Sequence, residues 1–307
     1  MSAYYEGILM AVGINVLLSV GLWTTVSTGQ FSFGHAAYMG IGAYLASLLT
    51  VTFKAPLIPA AALGAVAAGL AGVLIGFPAL RLSHLYLAMA TLAFAEIARV
   101  IFMNQPALGG AFGMGGMSGT TPLLVWAAVV VALAYLWLLG RSRLGLAFEA
   151  VRQDEIAARA MGLNVTWIKV MAFGQGALIT GFAGALFGHF TFYIEPNMFG
   201  IERSVLILLF VVFGGVYNLW GAVLGALILS LFPEVFRPLK DWYLFVYGGV
   251  LVAMMIWRPQ GLLGQRWAAL DVLGGLFPQA KRAPPGPVIE PPAASLRDGD
   301  AGDKGAE

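Results

Sequence analysis

The chain has 307 residues, of which 60% are hydrophobic and only 10% are charged, and its formal net charge at pH 7 is +2. An ordinary soluble domain carries about 25% charged residues, so this composition excludes that class and predicts a polytopic integral membrane protein. The absence of cysteine excludes disulfides, thiolate metal sites and cysteine nucleophiles. No basic tract is large enough to bind nucleic acid.

Apolar runs follow one another along most of the chain. A transmembrane helix needs about 20 apolar residues. The first run has no basic residue before it and no small-residue cleavage site after it, so we interpret it as a retained span. Two late runs are short and lie on either side of a turn, so we predict an all-α bundle of about nine transmembrane helices, within a range of about eight to ten. The predicted runs are 7–26, 34–53, 57–79, 85–103, 122–140, 169–190, 203–216, 221–236 and 242–257.

The longest polar interruption is the stretch 141–169. Lys and Arg are enriched beside membrane spans on the cytoplasmic side, so this loop is predicted to face the cytosol. Alternation then places 104–121 and 191–202 outside, with the C-terminal tail inside and the N-terminus outside. The glycine-rich 104–121 loop is expected to be irregular. The basic residues of the stretch are Arg141, Arg143, Arg152, Arg159 and Lys169.

Helical spacing within this loop predicts one short amphipathic helix that Gly162 ends. The spacing alone leaves two readings open, a helix that lies on lipid headgroups and a helix that docks in a groove of a partner protein. The predicted apolar face consists of Ala147, Ala150, Val151, Asp154, Ala157, Ala158 and Met161. The predicted polar face consists of Glu149, Arg152, Gln153, Glu155 and Arg159.

Few residues in the apolar runs are capable of chemistry. Glu96 and Arg99 lie one helical turn apart in a span, where ionisable groups are costly and often functional; alternatively they neutralise each other near its outer end. His35 follows Gly34 at the start of a span, either as a hydrogen-bonded structural residue or as a ligand. No histidine has a second histidine or a carboxylate at metal-binding spacing, so no metal site is expected.

The chain contains none of the common sequence signatures of nucleotide hydrolysis or hydrolytic enzymes. No G-x-x-x-x-G-K-[ST] sequence occurs, and G-x-S-x-G and H-E-x-x-H are also absent. We therefore expect neither an enzyme active site nor a cofactor bound by this chain itself.

Seven stretches together resemble the permease subunits of bacterial high-affinity branched-chain amino acid ABC importers, in their LivM-like branch. They occur in the family's order and cover most of residues 20–265. The turn at Tyr217 and Asn218 departs from the family pattern, in which small residues are usual. The matching stretches are 28–44 (TGQFSFGHAAYMGIGAY), 85–99 (LYLAMATLAFAEIAR), 142–162 (SRLGLAFEAVRQDEIAARAMG), 169–186, 213–226 (FGGVYNLWGAVLGA), 232–237 (FPEVFR) and 258–264 (RPQGLLG).

The resemblance implies a type II ABC importer-like permease with a cytosolic coupling helix, embedded in lipid in the bacterial inner membrane. It implies four partner subunits: a second related permease, two cytosolic ATP-binding subunits that bind the ATP, and a periplasmic substrate-binding protein that meets the outer loops. Residues 1–265 are then the permease domain, and 266–307 a cytosolic tail, disordered from about 278. The implied ATPase-coupling residues are Glu149, Ala150, Arg152, Asp154, Glu155 and Gly162. The implied pathway or structural-motif residues are Gly34, His35, Glu96, Arg99, Gly214 and Gly215.

The resemblance also implies that the transported solutes are leucine, isoleucine and valine. Similar permeases serve urea, amides or other small solutes, so these substrates remain an alternative. An ion-coupled secondary transporter is a third reading. It would need acids or unwound helices around an ion site at the membrane midplane, and it leaves the charged cytosolic loop unexplained.

Overall fold

The computed structural model describes residues 2–80, 82, 84–235, 248–249, 252, 256 and 261–263. Within them the fold is helical, apart from one pair of two-residue strands and a few single-turn 3₁₀ helices. The helices are α1 (Ser2–Val26), α2 (His35–Val51), α3 (Leu57–Ala79), α4 (His84–Asn104), α5 (Pro122–Gly140), α6 (Arg143–Gln153), α7 (Glu155–Ala160), α8 (Val165–Thr191), α9 (Ile201–Gly214) and α10 (Leu219–Val235). The strands are β1 (Met114–Gly115) and β2 (Tyr193–Ile194).

Among the described residues, six helices are long and apolar enough to cross a membrane, and two shorter apolar helices, α2 and α10, accompany them. These eight helices overlap the first eight predicted runs, so the chain is an all-α, multi-pass membrane protein. Of the ninth predicted run, 242–257, only four residues are described, and the predicted tail 266–307 lies outside the described residues. The candidate spans are Tyr4–Val26, Leu57–Ala79, Leu85–Asn104, Pro122–Gly140, Val165–Thr191 and Pro196–Gly214.

Helix α8 lies at the centre of the bundle and packs against α1, α2 and α3. The helix backbones approach closely where glycines face each other. A Cβ atom added to Gly42 of α2 would meet the Gly181 carbonyl of α8, and one added to Gly184 of α8 would meet the Met39 carbonyl of α2. Small residues of this kind permit the close van der Waals packing that holds helices together in lipid.

The inner end of the bundle, as we name it, contains the connection from α5 to α8. Arg152 of α6 lies beside Gly29, just after α1, and its guanidinium is 4.3 Å from the ring centroid of Tyr217, in the turn between α9 and α10. Three connections therefore meet at this end, as the predicted alternation requires.

The outer end, as we name the opposite end, contains the two loops that alternation places outside. Strand β1 of the 104–121 loop pairs antiparallel with β2 of the 191–202 loop, with Met114 opposite Ile194 and Gly115 opposite Tyr193. The 104–121 loop is thus more regular than expected, because it also forms two 3₁₀ turns, Pro106–Leu108 and Gly110–Phe112. Its glycines permit these tight turns, since Gly109 and Gly113 adopt the left-handed φ values of 81° and 73°.

The packing between α2 and α8 generates a stability prediction. Gly184→Ala should lower the free energy of unfolding by about 1–3 kcal/mol, because the new methyl group overlaps the α2 backbone and forces the helices apart. Chemical unfolding in detergent micelles measures this change. Gly7→Ala is the matched control, since an added Cβ there has no atom within 4 Å and alanine favours the helix. Equal stability of the two variants would contradict the proposed role of the close contact.

Candidate functional site

The inner segment, residues 141–164, folds as two helices rather than the single amphipathic helix that its spacing predicts. Helix α6 ends at Gln153, and Asp154 takes an extended conformation with φ −157° and ψ 111°. The Asp154 Oδ1 atom accepts hydrogen bonds from the backbone N–H groups of Ile156, at 2.8 Å, and Ala157, at 3.0 Å. The single-helix prediction is therefore wrong, because aspartate is a favoured N-cap residue and here begins a second helix.

The buried side of the inner segment holds both short helices against the start of α8. Phe148 and Val151 of α6 and Ala158 of α7 form one apolar cluster with Val165 and Ile168 of α8. An apolar cluster of this kind fixes the position of two helices that are too short to be stable alone.

Ion pairs add to this attachment. The Lys169 ammonium of α8 is bonded to the Glu155 carboxylate of α7, and Arg159 lies 3.9 Å from the same carboxylate.

Gly162 follows α7 with φ +82°, and its N–H donates to the Arg159 carbonyl at 3.0 Å. The prediction that Gly162 ends the helical part of this segment is confirmed.

Three large apolar side chains of the inner segment are exposed, and Leu146 is 61% exposed. Ile156 is 81% exposed and Met161 is 83% exposed. Met161 was predicted on one apolar face with Val151 and Ala158, but those two residues are buried while Met161 is exposed, because the break at Asp154 ends the continuous face. Exposed apolar side chains on an otherwise polar surface segment are typical of a surface that another protein covers.

The polar side of α6 connects the inner segment to the turn between α9 and α10. Glu149 accepts a hydrogen bond from Gln153 at 2.9 Å and lies 4.0 Å from Arg152. The Arg152 guanidinium in turn covers the Tyr217 ring, a cation–π contact. Sequence reasoning did not assign this role to Tyr217, and the signal was its departure from the small residues usual in that turn. Ala150 lies half-buried on the same helix.

Gly214 and Gly215 provide close packing at the inner end rather than polar groups. A Cβ atom added to Gly214 would meet the backbones of Gly221 and Gly225 in α10, and Gly215 takes φ +119°. The Gly214 carbonyl, at the end of α9, accepts a hydrogen bond from the Leu263 N–H at 2.9 Å. This bond supplies a partner for a carbonyl that the helix end leaves unpaired.

His35 begins α2 directly after Gly34 and is 1% exposed. Its Nε2 atom is 3.3 Å from the Thr25 hydroxyl of α1, and its ring packs edge-on against Tyr38 and beside Phe173 of α8. These contacts place His35 among α1, α2 and α8, towards the inner end.

Glu96 and Arg99 lie near the outer end and apart from the inner segment. The Arg99 Nε atom donates to Glu96 at 2.8 Å, which is the neutralising pair described as one alternative above. Arg99 also donates to the Asn197 Oδ1 atom at 3.1 Å. The pair therefore attaches α4 to the 3₁₀ turn Pro196–Phe199 that precedes α9.

Comparison with known protein families agrees with this helical architecture. A family model described as the permease component of branched-chain amino acid transport systems matches residues 4–255. The chain therefore belongs to this family, and it is an ABC transporter permease rather than an enzyme. No solved structure matches it.

Individual relatives span most of the chain. The high-affinity branched-chain amino acid transport system permease protein LivM of Salmonella typhimurium strain LT2 is 33% identical over 304 residues, which cover 87% of this chain and 70% of the relative. The LivM protein of Escherichia coli strain K12 has the same identity and coverage. The ribose import permease protein RbsC of Escherichia coli strain K12 is 26% identical, over 81% of this chain and 83% of its own.

The cap at Asp154 generates a local prediction. Asp154→Ala should destabilise α7 by about 1 kcal/mol, because two backbone N–H groups lose their acceptor. Hydrogen exchange at Ile156 and Ala157 should then be about fivefold faster. Asp154→Asn is the matched control, since the amide oxygen still accepts both bonds. Equally fast exchange in both variants would show that the cap does not hold the helix.

Proposed function

We propose that this chain is the transmembrane permease subunit of an ATP-driven importer that carries leucine, isoleucine and valine across the bacterial inner membrane. Its membership of the family of branched-chain amino acid permease components, matched over residues 4–255, carries the proposal. The similarity to two LivM proteins over 87% of the chain supports the substrate class.

The proposed topology has nine crossings, a count that depends on about 20 apolar residues per span. Helix α10 begins at the inner end, beside Gly214 and Gly215. Leu262 and Leu263 lie at that same end, since they donate hydrogen bonds to Phe213 and Gly214 at 3.0 and 2.9 Å. The proposed ninth crossing is the predicted run 242–257, most of which lies outside the described residues.

The inner segment is proposed to dock on a cytosolic ATP-binding subunit. Its two short helices present exposed Ile156 and Met161 as apolar anchors, with the Glu149 carboxylate on the same exposed segment. ATP would be bound by two such subunits, in keeping with the absence of a P-loop in this sequence.

The transmission of movement is proposed to use α8. Lys169 and Ile168 attach its inner end to the inner segment, and its 27 residues span about 40 Å. A shift imposed at the inner end therefore reaches the outer end as a rigid-body movement, which opens the pathway to alternate sides. A second related permease completes the pathway. A periplasmic binding protein meets the outer loops, which β1 and β2 join.

Reconstitution of the complete importer tests the proposal. Proteoliposomes contain this chain, its partner permease, the two ATP-binding subunits and the binding protein, with labelled leucine outside and ATP inside. We expect leucine uptake that depends on ATP and that excess urea does not reduce. Uptake of urea in place of leucine would overturn the substrate class, and uptake without ATP would favour an ion-coupled transporter instead.

The coupling role generates a separate prediction. Glu149→Ala and Gly162→Val should each abolish leucine uptake while the permease remains in the membrane. The first removes an exposed charge from the docking segment, and the second strains a backbone with φ +82°. Glu6→Ala is the matched control, because it removes an exposed carboxylate at the outer end. Normal uptake in both inner-segment variants would contradict the coupling role.

A further inference from the structure

Arg203 lies at the outer end of the buried face of α9. The face continues inward through Ile207, Phe210, Val211 and Gly214, all of which are buried. Arg203 therefore points into the bundle rather than towards lipid, because residues four apart share one side of a helix.

The Arg203 guanidinium has no carboxylate partner among the residues that the structure describes. Its Nε atom is buried without a hydrogen-bond acceptor, and the group lies 4.8 Å from the ring centroid of Phe187 in α8. A cation–π contact stabilises the charge only in part. An ionisable residue inside a membrane bundle is costly and is usually retained for a function.

Further polar groups without partners surround the outer aromatic cluster, which we define as Tyr44, Phe187 and Phe199. The ring of Phe199 is 5.6 Å from that of Tyr44 and 6.4 Å from that of Phe187. Within the described part of the chain, the Tyr44, Ser47 and Ser204 hydroxyls are buried and make no hydrogen bond. Helices α2 and α9 thus both carry unmet hydrogen-bonding groups, and Ser47 lies beside Gly188, the residue after Phe187 in α8.

An acidic residue borders the same cluster. Glu195 immediately precedes the 3₁₀ turn that contains Phe199, and it is partly buried. Among the described residues Glu195 forms no ion pair. Arg203 and Glu195, which form no ion pair among the described residues, therefore both lie beside the outer aromatic cluster.

We infer that this cluster is the outer subsite for a small zwitterionic amino acid with an apolar side chain, an inference that rests on the proposed function. Arg203 binds the α-carboxylate through its planar fork of donors, and the Ser204 hydroxyl donates a further hydrogen bond. Glu195 binds the ammonium group. The partly exposed Phe187 ring contacts the aliphatic side chain, and the buried Phe199 ring packs behind it. Such a division between a few polar groups and an apolar wall is usual for small-molecule sites.

The reconstituted importer tests this inference through Arg203→Gln, with Glu6→Gln as the control, because Glu6 is an exposed charged residue at the outer end that lies outside both outer loops. We expect Arg203→Gln to lower the maximal rate of leucine uptake about tenfold or more, since a charge-assisted hydrogen bond to the carboxylate is lost. The concentration of loaded binding protein that gives half-maximal uptake should stay unchanged, and so should basal ATP hydrolysis. Arg203→Lys, which retains the charge without the fork, should recover part of the rate.

Three outcomes overturn the inference. Uptake by Arg203→Gln at the rate of Glu6→Gln would show that the guanidinium does not contact substrate. Loss of the second permease from the purified Arg203→Gln complex would assign the arginine to a carboxylate of that subunit. If the unsubstituted importer carries urea and not leucine, the proposed function fails, and the inference fails with it; in the first two cases leucine uptake by the unsubstituted importer leaves the proposed function intact.

Discussion

The close approach of helix backbones to α8 is the constraint on which the rest of this structure depends. Lipid offers no hydrophobic drive for helices to associate, so the bundle relies on van der Waals contact between surfaces without bulky side chains. Three glycines of α8 face three different neighbours: Gly176 meets α1 at Gly21, Gly181 meets α3 at Ala68, and Gly184 meets α2 at Met39. A larger side chain at any of them would separate α8 from one neighbour.

The same packing makes α8 the physical link between the two ends of the molecule. Its inner end is attached to the inner segment through Lys169, whose ammonium is bonded to Glu155. Its outer end carries Phe187, which lies under Arg203, and His189, whose Nε2 atom is 2.9 Å from the Thr50 hydroxyl of α2. Since α2 and α3 enclose the helix between these points, a displacement at one end is carried to the other with little bending.

Hydropathy was sufficient to predict the eight apolar helices of the described residues, because in lipid every backbone polar group must be satisfied within a helix. Alternation and charge also placed the two outer loops at one end, where β1 and β2 pair. Helical spacing predicted one helix in the inner segment and was wrong there. Periodicity records which residues share a face, but it does not show that the Asp154 carboxylate caps a second helix by accepting backbone hydrogen bonds. Arg203 was missed because it stood at the edge of a predicted span, and only the structure shows that it faces inward. The contact of Arg152 with Tyr217 joins positions 65 residues apart, beyond the reach of any local pattern.

The break at Asp154 affects how the inner segment transmits force. A single straight helix bound in a groove of a partner resists sliding and tilting, but it can rotate about its own axis. Two short helices that meet at an extended residue have no common axis, and both are attached to α8 through the Phe148 and Ala158 cluster. A partner subunit that bound both helices, as proposed above, would therefore apply torque to α8 as well as translation. A movement that begins outside the membrane would then rotate the central helix and change the residues that it presents to its neighbours.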